Sequence, residues 1–297
     1  MTAQIIDGNR IAEDVRGEVK AKVEALKAAH DLTPGLAVVL VGENPASVSY
    51  VRGKERDGIE VGFFAETIRR PTDITQDALM GLVRDLNHDK RYHGILVQLP
   101  LPTHINAEAI VESLNPAKDV DGLHSSNVGF LLKGDARLAP CTPLGVQQML
   151  LRSGNSPEGK HVVICGRSNL VGKPLAALLL QKLPGANATV TVCHTGTRDT
   201  ANFTRQADIL VAATGVPRSI TADMVRDGAV VIDVGINRVE DKSTKSGFRL
   251  VGDVDYAAVS EKASAITPVP GGVGPMTRAM LLVNTLQAAM AQNGIRE

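Results

Sequence analysis

The stretch that decides the fold is HVVICGRSNLVGKPLAALLL, residues 161–180. Its β-branched run at 162–164 predicts a buried strand, and the glycine-bounded segment 166–172 predicts a tight turn. Pro174 then favours a helix start, because a proline in the first turn costs no backbone hydrogen bond. A helix that follows a glycine turn off a parallel strand presents free N–H groups. These groups form an anion site suited to a dinucleotide pyrophosphate.

The glycine pattern of this turn departs from the usual dinucleotide fingerprint. Ser168 stands where the second glycine is expected, and Gly172 comes one position late. The Cβ of Ser168 holds a phosphate slightly further away, although its hydroxyl can donate a hydrogen bond in return. The run by itself therefore leaves open a strand-turn-helix corner without a ligand, since such corners are common in α/β proteins.

The next predicted strand, 188–193, bears on the choice of cofactor. NAD sites usually place an acidic residue at the end of this strand, where it holds the ribose 2′-hydroxyl. Here the strand is followed by HTGTR, 194–198, and the first carboxylate is that of Asp199. With Arg167 in the first turn and Arg198 after the second strand, guanidinium and hydroxyl groups favour a 2′-phosphate and hence NADP. The alternative is that these side chains are merely solvated.

Length and composition bound the class of protein. With 297 residues, we expect two domains with sizeable cores. Lys and Arg total 32, as do Asp and Glu, so neither nucleic acid nor an anionic membrane is expected as a partner. The three cysteines are far apart, so neither a disulfide framework nor a metal site is predicted. No apolar run reaches the roughly 18 residues of a membrane span and no signal-peptide core is seen, so we expect a soluble cytoplasmic protein.

The first half of the chain alternates between helix and strand signals. Apolar residues at helical spacing predict an opening helix with one buried face: Ile11, Val15, Val19, Val23 and Leu26. Strands are predicted at 36–41, 63–68 and 94–99, and helices at 45–60, capped by Asn44, and from Thr75 to Leu86. This alternation indicates a parallel, doubly wound α/β domain.

The second half continues this alternation. Further strands are predicted at 209–213 and 230–234, with an exposed charged loop at 240–247 and a proline- and glycine-rich loop at 267–275. A helix at 144–151 connects the halves, and a last helix from Met276 to Gln292 is expected to pack back on the first domain. We therefore predict a two-domain α/β protein, in which residues 1–140 with 276–297 form one domain and residues 141–275 form a Rossmann-type domain.

Four polar side chains stand out as candidates for chemistry. Tyr50 and Lys54 are four residues apart on one predicted helix and share a face, so a flat ring lies beside an amine. Burial of this amine can lower its pKa. Gln98 lies at the carboxyl end of the predicted strand 94–99, where ligands of parallel sheets gather, and Asp121 lies in a loop just beyond a predicted helix. Asp119 is an alternative to Asp121, which we prefer because a glycine follows it. Each residue alone is also compatible with a structural or surface role.

Six segments together resemble one enzyme family. They are 41–51 (VGENPASVSYV) with Lys54, 94–102 (GILVQLPLP), 118–124 (KDVDGLH), 140–143 (PCTP), 166–172 (GRSNLVG) and 270–277 (PGGVGPMT). These motifs are similar to those of bifunctional methylenetetrahydrofolate dehydrogenases/methenyltetrahydrofolate cyclohydrolases, over nearly the whole chain and in the same order. The resemblance implies an N-terminal folate-binding domain, an NADP-binding Rossmann domain, and a cytoplasmic homodimer that serves one-carbon metabolism and purine biosynthesis.

The resemblance also implies roles for individual residues. Lys54 is implied as the catalytic lysine, Gln98 as its hydrogen-bond partner, Tyr50 as the ring stacked on the folate, and Asp121 as the pterin anchor. Two further groups are implied, one for the substrate (Pro270 and Gly271) and one for NADP (Gly166, Arg167, Ser168, Gly172, Thr195 and Ile236). Three positions depart from the family pattern. Arg56 stands where a lysine is usual, Arg278 where an apolar residue is usual, and Gly196 where a basic residue is usual.

Two consecutive reactions follow from the resemblance. NADP oxidises 5,10-methylenetetrahydrofolate to the 5,10-methenyl form, which is then hydrolysed to 10-formyltetrahydrofolate. The alternatives are a shikimate-dehydrogenase-like oxidoreductase, a nucleotide-binding protein without catalysis, and a dehydrogenase without the hydrolytic step. The spacing of Tyr50 and Lys54 and the 270–277 loop argue against the first, and retention of all four candidate side chains argues against the second.

Overall fold

The computed structural model describes residues 2–244 and 247–296. Its strands are β1 (Gln4–Ile5), β2 (Gly35–Val41), β3 (Phe64–Arg70), β4 (Gly94–Val97), β5 (His161–Cys165), β6 (Thr189–Cys193), β7 (Ile209–Ala212), β8 (Val230–Asp233), β9 (Asn237–Glu240), β10 (Phe248–Val251) and β11 (Ala265–Ile266). Its α-helices are α1 (Gly8–His30), α2 (Pro45–Glu60), α3 (Gln76–His88), α4 (Ala107–Glu112), α5 (Ser125–Lys133), α6 (Cys141–Arg152), α7 (Gly172–Leu179), α8 (Thr200–Thr204), α9 (Tyr256–Ser260) and α10 (Val273–Gln292).

The chain divides into two units. The six-stranded unit comprises Met1–Ala12 and Thr142–Thr277, and the three-stranded unit comprises Glu13–Cys141 and Arg278–Glu297. These boundaries differ from the predicted 1–140 and 141–275 mainly at the start of the chain. The first twelve residues belong to the six-stranded unit because β1 pairs in parallel with β11. A strand of two residues is too short to leave a periodic pattern in the sequence.

The six-stranded unit contains the predicted Rossmann-type sheet. Its strand order is β1-β11-β8-β7-β5-β6, and all pairings are parallel. The central strands β7 and β8 are buried along their whole length, as is typical of a parallel sheet covered on both faces. Strands β5 and β6 are neighbours, with Cys165 opposite Cys193, so the two loops that follow them start side by side.

The three-stranded unit has a parallel sheet of order β3-β2-β4. Strand β2 is buried throughout, and helix α3 packs its apolar face into the same core. The part of α10 that begins at Arg278 also belongs to this unit. The side-chain amide of Asn284 donates to the carbonyl oxygens of Val120 and Ala139, both at 2.8 Å. The predicted two-domain α/β fold, with the last helix packed on the first domain, is therefore confirmed.

Two helices begin earlier than the sequence predicts. Helix α10 begins at Val273 and helix α6 at Cys141, each three residues before the predicted start. In both helices a proline, Pro275 or Pro143, is the third residue. A proline in the first turn is tolerated because the N–H groups there have no partner within the helix. The prolines therefore lie inside the first turn rather than before it.

The predicted loop at 240–247 connects an antiparallel pair, β9 and β10, that the sequence did not predict. Residue 240 is the last residue of β9, and residues 241–244 and 247 lie between the strands. Residues 245 and 246 fall outside the described part of the chain. Across residues 2–244 and 247–296, every helix is too short or too polar to cross a membrane.

Candidate active site

Helix α2 positions Tyr50 and Lys54. The side chain of Asn44 caps this helix by accepting hydrogen bonds from two backbone N–H groups of the first turn, at 3.0 and 3.3 Å. Because they are four residues apart, Tyr50 and Lys54 lie on one face of the helix. Lys54 is only 6% exposed and Tyr50 is half-buried. This face of α2 therefore points into the three-stranded unit rather than into solvent.

Gln98 fixes the side chain of the lysine. It directly follows β4, and its Oε1 accepts a 2.9 Å hydrogen bond from Lys54 Nζ. Its Nε2 donates to the carbonyl oxygen of Leu99 at 2.6 Å. Because a carbonyl only accepts hydrogen bonds, the second contact sets the orientation of the amide and leaves its oxygen for the lysine. The fold thus joins two candidate residues that are 44 positions apart in the sequence.

The surroundings of Lys54 favour its neutral form. Burial lowers the pKa of Lys54; the carboxylate of Asp121 acts in the opposite direction, and the charge of Arg278 adds to the lowering. Burial, together with Asp121, raises the pKa of the Cys141 thiol well above its usual value. The thiol therefore stays protonated, and it donates to the carbonyl oxygen of Val120 at 3.2 Å. Cys141 and Asp121 both act against the effect of burial on the pKa of the lysine.

The two candidate aspartates have different surroundings. Asp119 is fully buried, and its Oδ2 accepts hydrogen bonds from the backbone N–H of His124 and the side-chain amide of Asn127, both at 2.8 Å. Burial raises the pKa of Asp119. Asp121 is half-buried, and its charge acts on Lys54. The structure therefore makes Asp119 a support of the loop and leaves Asp121 as the carboxylate beside the lysine.

Arg278 is a charged residue of this region that the sequence analysis noted only as a departure from the family pattern. Its guanidinium lies against α2 at Gly53, where a Cβ would overlap the Nη1 atom. Its Nε is 3.3 Å from Oδ2 of the buried Asp57. Burial raises the pKa of Tyr50, and the charge of Arg278 acts in the opposite direction. Tyr50, Gly53 and Asp57 have the spacing of one helix face, but no sequence signal indicates that Arg278 of α10 lies against it.

The turn between β5 and α7, where the sequence predicts a dinucleotide site, is closed by two glycines in tight backbone contact. A Cβ at Gly172 would overlap the carbonyl oxygen of Gly166, and a Cβ at Gly166 would overlap the carbonyl oxygen of Ala213. Gly166 also has a φ of 134°, which favours glycine. Ser168 Oγ accepts a 3.1 Å hydrogen bond from the Val171 N–H, so its hydroxyl hydrogen stays available to a ligand. Valine at the N-cap position offers no side-chain acceptor, so the start of α7 is suited to an anion.

The loop after β6 runs beside this turn. The backbone N–H of His194 donates to Thr197 Oγ1 at 2.9 Å, and that of Gly196 donates to His194 Nδ1 at 3.1 Å. Arg167 Nη1 is 3.5 Å from His194 Nε2, and Thr195 is exposed. A guanidinium therefore lies next to the segment 194–198, which carries two threonine hydroxyls and no carboxylate. The first carboxylate, that of Asp199, accepts a hydrogen bond from the backbone N–H of Asn202 as the N-cap of α8. These residues fit the 2′-phosphate of NADP better than the bare ribose of NAD.

The remaining predicted site residues lie in two other loops of the six-stranded unit. Ile236, between β8 and β9, is 46% exposed, so it presents an apolar surface to a ligand or to solvent. Pro270 and Gly271 lie between β11 and α10. Pro270 is exposed, and Gly271 has a φ of 101°, a left-handed backbone that other residues rarely adopt.

Comparisons with known proteins show the family to which this chain is similar. Models of the tetrahydrofolate dehydrogenase/cyclohydrolase family match residues 6–121 (catalytic domain) and 140–293 (NAD(P)-binding domain). The bifunctional protein FolD of Chlorobium phaeobacteroides is 54% identical over 98% of this chain and 100% of its own length.

Two solved structures are also similar over the whole chain. The bifunctional methylenetetrahydrofolate dehydrogenase/cyclohydrolase FolD of Campylobacter jejuni has a TM-score of 0.91 and 47% identity, covering 98% of this chain and 99% of that one. The FolD of Trypanosoma brucei, complexed with NADP cofactor and inhibitor, has a TM-score of 0.93 and 39% identity, covering 99% of both chains.

Proposed function

This chain belongs to the tetrahydrofolate dehydrogenase/cyclohydrolase family, and on that premise we propose which of its residues carry out each reaction. The enzyme oxidises 5,10-methylenetetrahydrofolate with NADP and hydrolyses the methenyl product to 10-formyltetrahydrofolate. The identity and full-length coverage of these relatives favour this bifunctional reading over the shikimate-dehydrogenase-like one.

The oxidation depends mainly on positioning. The carbon that loses hydride is flanked by two nitrogens, whose lone pairs stabilise the cation that forms, so no general base is needed. When bound, NADP supplies the nicotinamide carbon that accepts the hydride. The turn and the start of α7 are suited to its pyrophosphate. The residues that we propose to hold NADP are Gly166, Arg167, Ser168, Gly172, Thr195 and Ile236.

The hydrolysis needs proton transfer, which we assign to Lys54. Water attacks the methenyl carbon and gives one proton to the neutral amine of Lys54. The ammonium then returns this proton to the ring nitrogen as the C–N bond breaks, and the hydroxyl proton leaves to solvent as the formyl group forms. The observation that supports this role is the buried Nζ atom held 2.9 Å from Gln98 Oε1. A positioned acid–base group of this kind contributes about 10²–10⁴-fold.

The substrate is held by groups of matching shape and charge. A carboxylate accepts two parallel N–H bonds from the pterin edge, and we assign this role to Asp121. The ring of Tyr50 offers a flat surface to the folate on the same helix face as Lys54. Pro270 and Gly271 are proposed as further substrate contacts, a role for which the family resemblance is the support.

The assignment of Lys54 is tested with methenyltetrahydrofolate supplied directly and without NADP. We expect Lys54→Met to lose hydrolysis by about 10²-fold or more, because a thioether cannot carry a proton. Arg52→Met removes an exposed cation from the same helix and serves as the matched control, with an unchanged rate. Hydrolysis by Lys54→Met at the rate of the control would contradict the assignment.

A further inference from the structure

An arginine of the last helix lies against the helix that carries Lys54. Arg278 lies on α10, and its guanidinium lies against α2 at Gly53, the residue directly before Lys54. The contact depends on the glycine, because a Cβ there would overlap Nη1 and approach Cδ and Cζ of the arginine to 3.3 Å. The long side chain of Arg278 therefore occupies the space that the absent side chain of Gly53 leaves open.

Asp57 holds the arginine in this position. The Nε of Arg278 is 3.3 Å from Oδ2 of Asp57, which is 2% exposed, whereas the arginine side chain is 22% exposed. The other carboxylate oxygen of Asp57 accepts a 3.2 Å hydrogen bond from Arg56, whose side chain is 71% exposed. This ion pair places the guanidinium of Arg278 beside α2, the helix that carries Tyr50 and Lys54.

The groups that act on Lys54 come from four elements. Gln98, after β4, accepts its hydrogen bond, and Asp121, in the loop before α5, favours the charged amine. Cys141, the first residue of α6, acts in the same direction as Asp121. Arg278, on α10, is the cation that acts on Lys54, and it lowers the pKa of the amine. Arg278 therefore offsets part of the effect of Asp121, a carboxylate that the substrate requires.

We propose that Arg278 is a positioning residue for the hydrolysis step: paired with Asp57 and lying against Gly53, it places a positive charge next to the segment that carries Lys54 and favours the amine as the acceptor of a proton from water. The inference rests on the proposed role of Lys54.

The test is the pH dependence of kcat for methenyltetrahydrofolate hydrolysis. Removing a nearby positive charge raises the pKa of an amine, so in Arg278→Gln the acid limb of the profile is expected to move to higher pH. The rate then falls several-fold on that limb and stays near the wild-type value on the plateau. Arg278→Lys keeps the charge and is expected to restore the wild-type limb. Arg56→Gln, which loses the exposed partner of the same Asp57, is the matched control with an unchanged limb.

Three outcomes decide between this proposal and its rivals. An acid limb that stays in place in Arg278→Gln overturns the proposal. If the KM also rises while the limb stays in place, Arg278 is instead a substrate contact. If Arg278→Gln does not fold, Arg278→Met keeps an unbranched side chain without the charge and must move the limb in the same direction. Failure of Lys54→Met to lose hydrolysis is a different result, since it removes the role of Lys54 itself.

Discussion

At the scale of single residues, two aspartates that lie two positions apart have different roles: Asp119 supports a loop, and Asp121 is proposed to bind the substrate. Asp119 is buried and accepts hydrogen bonds from the segment that starts α5. Asp121 remains half-buried and electrostatically coupled to Lys54. Their different surroundings lead us to expect that removing each carboxylate changes a different property of the enzyme.

We predict that Asp121→Ala weakens folate binding and slows both reactions together. Loss of a charged hydrogen bond costs about 1.5–3 kcal/mol, which corresponds to a Kd roughly 10–100-fold higher. Titration with a folate substrate analogue, combined with thermal unfolding, measures both properties. Asp119→Ala is the comparison variant, and we expect it to lower the free energy of unfolding because buried donors lose their acceptor. Unchanged folate affinity in Asp121→Ala would remove it as the anchor.

Some residues of the site could be predicted from the sequence, and some of their contacts could not. Lys54 and Tyr50 were identifiable because helical spacing places them on one face. The contact of Lys54 with Gln98 joins α2 to the end of β4, and only the resemblance to a family suggested it. The contact of Arg278 with Gly53 escaped prediction because nothing in the local pattern relates α10 to α2.

At the scale of elements, the turn from β5 to α7 depends on close backbone contact. Gly166 and Gly172 approach carbonyl oxygens so closely that neither position accepts a Cβ. Backbone atoms cannot move aside as a flexible side chain can. The shape of the turn, and with it the proposed pyrophosphate site, therefore depends on these two glycines.

We predict that Gly172→Ala lowers both stability and NADP affinity. Overpacking of this kind costs about 1–3 kcal/mol in the free energy of unfolding. Gly81→Ala is the matched control, since a Cβ at that helical glycine meets no atom within 4 Å. The control is expected to gain about 0.5–1 kcal/mol and to bind NADP normally. Thermal unfolding and NADP titration measure the two effects, and normal NADP binding by Gly172→Ala would count against the proposed site.

Elements with strong local signals were predictable, and those that depend on distant partners were not. The β5 strand, its turn and α7 follow from β-branched residues, glycines and a proline within 20 residues of sequence. Strand β1 exists only because β11 offers a partner more than 250 residues later. The early start of α10 was missed because Pro275 reads as a helix stop, whereas it occupies the first turn.

At the scale of the whole molecule, the chain forms two units of different chemistry. The six-stranded unit carries the glycine turn and the hydroxyl-rich loop proposed for NADP, and the three-stranded unit carries the buried lysine and its partners. Oxidation needs both NADP and the folate, whereas hydrolysis needs only the folate. The two activities should therefore respond differently to substitutions in the two units.

We propose that the enzyme works as a cytoplasmic homodimer that supplies one-carbon units for purine biosynthesis, for which the family resemblance is the support. Light scattering coupled to size-exclusion chromatography tests the assembly directly. A 31.4 kDa chain is expected to elute with twice its own mass across a range of protein concentrations. Elution at the mass of a single chain at all concentrations would contradict the homodimer.

The most direct test of the account records the absorbance bands of NADPH and of methenyltetrahydrofolate together. Methylenetetrahydrofolate and NADP are supplied to the wild type and to Lys54→Met. We predict that the wild type forms NADPH with little methenyl product, and that Lys54→Met accumulates the methenyl product in step with NADPH. Loss of both bands in a Lys54→Met enzyme that still binds folate would contradict the claim that Lys54 serves proton transfer in the second step.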